Sequence, residues 1–174
     1  IFQSSGIYVS EDTNDVVYIN NGYVYFNDTK LSYEVTASTE GSITLTAGDK
    51  VITVTNDGTT KSMTVESGGV TSSYTLTAFD YDAIIGEYTV GTTTYTLSVK
   101  ENPLTGVFAG YTCSDGFLTV SDYTFVIHNG NLAMHFKLGG TDVYFFISDG
   151  VPTCETTGGL LPPPPPPPPP LAKD

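Results

Sequence analysis

Two side chains, His128 and His135, are the only histidines in the chain, and histidine is the residue whose unperturbed charge changes near neutral pH. They are the first candidates for acid–base chemistry. His128 is followed by Asn129-Gly130, a dipeptide suited to a two-residue hairpin loop. Folding the chain about that loop sets His128 opposite Asn131, Ile127 opposite Leu132 and Phe125 opposite Met134, and turns both histidines toward one face. A catalytic triad would also need a nucleophile, and no G-x-S-x-G is present. Zinc would need three or four ligands, and neither H-E-x-x-H nor C-x-x-C occurs. Structural histidines are the expectation.

Paired carboxylates are the next candidates. Asp80 and Asp82, and the run Glu11-Asp12-Thr13-Asn14-Asp15, offer hard oxygens that calcium prefers. Both lack the central Gly and terminal Glu of a twelve-residue calcium loop, so solvated turn carboxylates are expected, with Asp80 and Asp82 the weak calcium candidates. A glycosidase would use such a pair too, but the chain has no Trp to form a sugar platform. No enzyme activity and no cofactor are expected. Cys113 and Cys154 are the only cysteines, and in a Thr-rich acidic chain they are expected to form a disulfide in an oxidising exterior. Asn27-Asp28-Thr29 is a sequon that makes Asn27 a possible glycosylation site in a eukaryotic host.

These residues sit in a sequence of alternating polarity. Ser42-Ile43-Thr44-Leu45-Thr46 and Val51-Ile52-Thr53-Val54-Thr55 have the period of two of half-buried antiparallel strands, with Ile and Val inward and Thr outward. Turn dipeptides punctuate them at Asn21-Gly22, Asp57-Gly58, Gly68-Gly69, Asn129-Gly130 and Gly139-Gly140. No stretch carries a helical period. The predicted fold is all-β: antiparallel meanders forming β-sandwich or barrel-like units in tandem, without significant helix. Met63, Val65, Gly68-Gly69, Tyr74 and Leu76 align without a gap on Met134, Phe136, Gly139-Gly140, Phe145 and Ile147, which suggests one β-unit used twice. The expected organisation is a first repeat over 1–82, a second over 83–157 packed on the first, and a tail over 158–174.

In the second repeat, Tyr123, Phe125, Ile127, Leu132, Met134, Phe136 and Leu138 fall on one face, the predicted core. A further turn at Gly139-Gly140 pairs His135 with Tyr144 and Lys137 with Asp142. The opposite face carries Val126, Ala133, His135, Tyr144 and Phe146, too apolar for a solvated sheet. It is expected to be covered by the first repeat, by another subunit or by a ligand, and so is the candidate assembly or binding face. With twelve Tyr in the chain, stacking of a glycan on Tyr144 and Phe146 is the alternative.

After Gly158-Gly159 come Leu160-Leu161, nine prolines from Pro162 to Pro170, and Leu171. Nine prolines form a polyproline II rod of about 28 Å, unable to join a helix or a sheet interior. This segment resembles the proline-rich ligands of profilin, SH3 and WW domains, which would imply docking on aromatic grooves. Two other roles are a passive stalk and a rod that packs on its own or a neighbouring subunit, with Leu161, Pro162, Pro166, Pro170 and Leu171 as its contacts.

Composition sets the outer limits. In 174 residues, six Lys+Arg face nineteen Asp+Glu, a net charge of −13, which rules out a basic nucleic-acid footprint and opposes attraction to anionic lipid. No apolar run nears the ~18 residues of a membrane helix, so insertion is not expected. The chain opens on Ile1-Phe2-Gln3 with Met only at 63 and 134, as expected of a processed, secreted or cell-surface product. Together these features predict an extracellular structural protein that self-associates as a homo-oligomer or polymer, a filament, pilus-like fibre or coat. An adhesion or carbohydrate-binding module contacting a glycan or host surface, with a polyproline spacer, is the alternative.

Overall fold

The computed structural model describes residues 4–20, 22–90, 92–101, 108–114, 118–120, 122–138 and 140–157. The structure is all-β. Nine strands open it: β1 (Gly6–Ser10), β2 (Val16–Asn20), β3 (Tyr23–Phe26), β4 (Thr29–Ser32), β5 (Glu34–Ser38), β6 (Ser42–Ala47), β7 (Lys50–Asn56), β8 (Lys61–Ser67) and β9 (Val70–Thr77). They form one antiparallel sheet in the order β4-β3-β2-β1-β9-β8-β7-β6-β5. The first strand pairs with the last, from Ile7 opposite Thr77 to Ser10 opposite Tyr74, so the sheet curls almost into a barrel and leaves β4 and β5 as its two edges.

The alternating sequence explains that curl. Leu45, Ala47, Ile52, Val54, Met63 and Val65 from one half meet Tyr8, Val17, Ile19 and Val24 from the other in one buried cluster. Each fully buried Val, Leu, Ile or Met among them contributes about 1.5–3 kcal/mol over exposure. The Thr and Ser between them face outward. β1 and β2 depart from the alternation. Tyr8, Val17 and Ile19 point into this cluster, whereas Ile7 and Val16 belong to a second one. The near-continuous apolar runs Ile7-Tyr8-Val9 and Val16-Val17-Tyr18-Ile19 are the sequence of strands covered on both faces.

A 3-10 turn, Asp82–Ile84, leads into β10 (Gly86–Val90), β11 (Thr93–Glu101), β12 (Phe108–Ser114) and β13 (Leu118–Val120), one four-stranded sheet in that order. A second four-stranded sheet follows: β14 (Thr124–His128), β15 (Asn131–Leu138), β16 (Thr141–Ser148) and β17 (Val151–Thr156). Asn129 and Gly130 take φ of 50° and 81°, the two left-handed positions of a tight hairpin turn. The register is the one that turn dictates: Phe125 opposite Met134, Ile127 opposite Leu132, then His135 opposite Tyr144 and Lys137 opposite Asp142.

The second cluster joins the two parts of the chain. Ile7 and Val16 of the nine-stranded sheet pack with Ile84, Tyr88, Tyr95 and Leu97 and with Phe125, Met134, Phe136, Val143 and Phe145. Phe125 is its hub: Tyr18, Phe79, Tyr123 and Tyr81 lie 5.0, 4.9, 5.7 and 6.0 Å away, centroid to centroid. The aligned segments of the sequence fall on β8–β9 and β15–β16, and Met63 and Met134, Val65 and Phe136, and Tyr74 and Phe145 are buried in each. Their places in the meander differ by one hairpin, because β1 lies beside β9 while β10 lies beside β17.

Candidate functional site

The strongest concentration of chemistry-bearing side chains lies on the β14–β17 sheet. The register sets Thr124, His135, Tyr144 and Glu155 in a row across its four strands. The ring of His135 stacks on Tyr144 at 4.4 Å and 8°, and His128 stacks on Tyr144 at 3.9 Å and 7°. Two rings parallel to Tyr144 at such short range must take its opposite faces, giving a His128–Tyr144–His135 sandwich.

Carboxylates close each end of the sandwich. His128 Nε2 lies 2.7 Å from Glu155 Oε2, and Asn129 Nδ2 donates to the same oxygen at 2.9 Å. His135 Nε2 lies 2.8 Å from Asp142 Oδ1, and its Nδ1 contacts Asp28, in the turn between β3 and β4. The Thr157 hydroxyl donates to Asp142 Oδ2 at 3.2 Å. His135 holds the Asp142 carboxyl below its ordinary range through this hydrogen bond, with smaller help from Thr157 and Lys137. Burial, then the Asp142 and Asp28 charges, pushes the Tyr144 phenol up.

This geometry places the predicted face residues within the chain itself. Val126, Ala133, His135 and Phe146 are 7%, 0%, 4% and 2% exposed, and both faces of Tyr144 are occupied by imidazoles. These side chains pack within the chain, and the two imidazoles lie on the half-buried Tyr144 ring. The two histidines share a face, yet their hydrogen bonds go to carboxylates, and the Thr157 hydroxyl is turned to Asp142 instead of an imidazole. Charge and ring orientation are held here by these contacts.

The carboxylates of the other candidate runs make local hydrogen bonds. Asp80 accepts the Ala83 amide at 3.2 Å and so caps the 3-10 turn that contains Asp82. Glu11 accepts the Thr75 hydroxyl at 2.9 Å, and Asp15 accepts from Thr13 and Asn27 at 2.8 and 3.0 Å. Among the described residues no cluster of three His, Cys, Asp or Glu has a metal-binding arrangement. Asn27 sits at φ 52° in the β3–β4 turn, its Oδ1 accepting the Val16 amide at 2.9 Å. Cys154 is half-buried against the joining cluster. Cys113 lies opposite Leu97 in register; its side chain, like Leu161, Pro162, Pro166, Pro170 and Leu171, lies outside the described residues.

Sequence reasoning passed over two features. One is an open groove of about 510 Å³ lined by Ile7, Tyr18, Leu76, Phe79 and Tyr81, where the nine-stranded sheet meets the junction, the segment between β9 and the 3-10 turn. The aromatic pair Phe79 and Tyr81 in the junction was its only signal. The other is β5, exposed at all five residues with Val35 at 54%. On its outer side β5 pairs with no described strand. No protein-family model matches the chain, and no curated protein is significantly similar to it.

Proposed function

We propose that the chain is an extracellular structural protein, a subunit that associates with copies of itself into a surface filament, pilus-like fibre or coat. The observation that carries this reading is the open edge at β5. A strand with free N–H and C=O groups is a template for another chain, and natural proteins usually protect such edges with charge, proline or cover. Here Glu34 is the only charged residue of Glu34-Val35-Thr36-Ala37-Ser38. The register shift between Val35 and Ala37 bends the strand. A bulge is one of the devices that blunt an edge, so it limits the length of strand a partner can pair with.

The polyproline segment contributes a different contact. Lacking N–H donors it cannot extend the β5 edge as a full strand, but it can lie in an aromatic groove without unpaired amides. A contact from the tail of one subunit to the body of the next is heterologous and propagates without closing. Light scattering on the full chain, on a Val35→Lys variant and on a chain lacking residues 159–174 tests this reading. Association by the full chain, with loss of association in both variants at unchanged circular dichroism, is expected. A monomeric full chain, or both variants associating like the parent, defeats it.

The groove at Tyr18, Phe79 and Tyr81 favours a second reading, an adhesion module that binds a glycan or host protein and uses the proline segment as a spacer. A glycan array read with a Tyr81→Ala control separates the two: groove-dependent glycan binding by a monomer supports the module.

A further inference from the structure

His135 is 4% exposed and connects two parts of the fold that are distant in sequence. Its Nδ1 meets Asp28 from the β3–β4 turn of the nine-stranded sheet, and its Nε2 meets Asp142 of β16. A neutral imidazole has one N–H and one lone pair, so it can donate to only one carboxylate; the imidazolium donates to both. We propose that His135 is a pH-gated clamp between the nine-stranded sheet and the β14–β17 sheet, closed when the ring is doubly protonated and released when it is neutral.

The surroundings decide which side lets go. Asp142 and Tyr144 face the ring from β16, Asp28 from the β3–β4 turn, and Thr124 lies opposite on β14 with its hydroxyl on Asn27 O at 3.1 Å. On its own strand, Lys137 Nζ reaches Asp142 only at 4.0 Å and is 66% exposed. Beyond Tyr144 stand His128, Glu155 and Asn129. Asp142 is bound by Thr157 as well as His135, and its side chain is 28% exposed; that of Asp28 is 58% exposed. When the ring turns neutral, one carboxylate faces a lone pair, and Asp28 is the one free to swing into water. The contact between the sheets therefore weakens, while the contact within the C-terminal sheet persists.

The sign follows from which form is bound. The clamp is closed in mildly acidic solution and lost as pH rises through the range in which the ring gives up its second proton; in strong acid it fails again as the carboxylates protonate. With only two histidines in the chain, a His128→Gln background leaves His135 as the sole imidazole. Urea unfolding of this protein between about pH 5.5 and about pH 8 should show an unfolding constant that rises across the window. The rise should vanish when His135→Gln is added and shrink with Asp28→Asn, a partner exposed enough to be replaced without harming the fold. In NMR, the His135 ring resonances should titrate at lower pH in the Asp28→Asn protein than in its parent. Equal pH profiles with and without His135, or a ring titration unmoved by Asp28→Asn, would overturn the proposal.

Discussion

Replacing Phe125 by alanine should separate the two halves of the molecule. Phe125 is fully buried and its ring contacts Tyr18 of β2, Phe79 and Tyr81 of the junction, and Tyr123. Truncating a buried Phe costs about 3–5 kcal/mol through lost transfer energy and the cavity left behind. Aromatic pairs add about 0.5–1.5 kcal/mol each beyond area, and four of them put this site at the upper end, about 5 kcal/mol. Domains of this size are stable by only about 5–15 kcal/mol, so the loss is a large fraction of the total. It falls on the cluster that joins the sheets, whereas Ile52→Ala, inside the nine-stranded sheet, would remove about 2–5 kcal/mol from that sheet alone. Urea unfolding followed by circular dichroism and by tyrosine fluorescence is the assay, since the chain has no Trp. The Phe125→Ala protein should unfold in two steps that the two probes report differently. A loss under about 1.5 kcal/mol, with one transition of unchanged slope, would refute the assignment of Phe125 as the hub.

Two further predictions concern ionisation and redox state. Burial pushes the phenols of Tyr81 and Tyr88 up to about 12. The neutral phenol is the favoured form, so this contribution is complete below about pH 10 and is lost as pH rises from there through about 12. Phenolate absorbance of the folded protein near pH 11 should therefore fall short of that expected from twelve Tyr, and full ionisation with the circular dichroism intact would contradict it. A Cys113–Cys154 disulfide, which the extracellular reading proposes, should protect both thiols from alkylation until reduction and stabilise the chain by roughly 4 kcal/mol. Intact mass showing two alkylated thiols in unreduced protein would remove it.

Much of the C-terminal sheet was legible because its turns fix its register. Asn129-Gly130 admits left-handed φ at both positions, and from it the pairing of Phe125 with Met134 and of His135 with Tyr144 follows by counting. Counting also brought His128 and His135 to one face. Their partners were not legible: Asp28 is 107 positions from His135 and Glu155 is 27 from His128, and a period of two does not encode how one sheet meets another. The same limit hid the double burial of β1 and β2. Their runs of consecutive apolar residues, Ile7-Tyr8-Val9 and Val16-Val17-Tyr18-Ile19, carry that information, but only once a second layer is known to cover them. The apolar face of β14–β16 reads as unsuited to water, and what lies on Tyr144 in the structure is two imidazoles of its own sheet, a contact that the period of two does not encode. The open β5 edge was invisible because Glu34-Val35-Thr36-Ala37-Ser38 reads like the paired Thr-rich strands beside it. Edge position is a property of topology, not composition.

Self-association through open surfaces is the central claim, and electron microscopy of the purified full chain tests it most directly. A net charge of −13 makes copies repel one another, but at physiological salt this repulsion is screened beyond about 8 Å. At that ionic strength the account predicts filaments or ordered arrays, more abundant as salt is raised and absent from the Val35→Lys protein. Uniform single particles the size of one chain, at every salt and protein concentration tried, would contradict it.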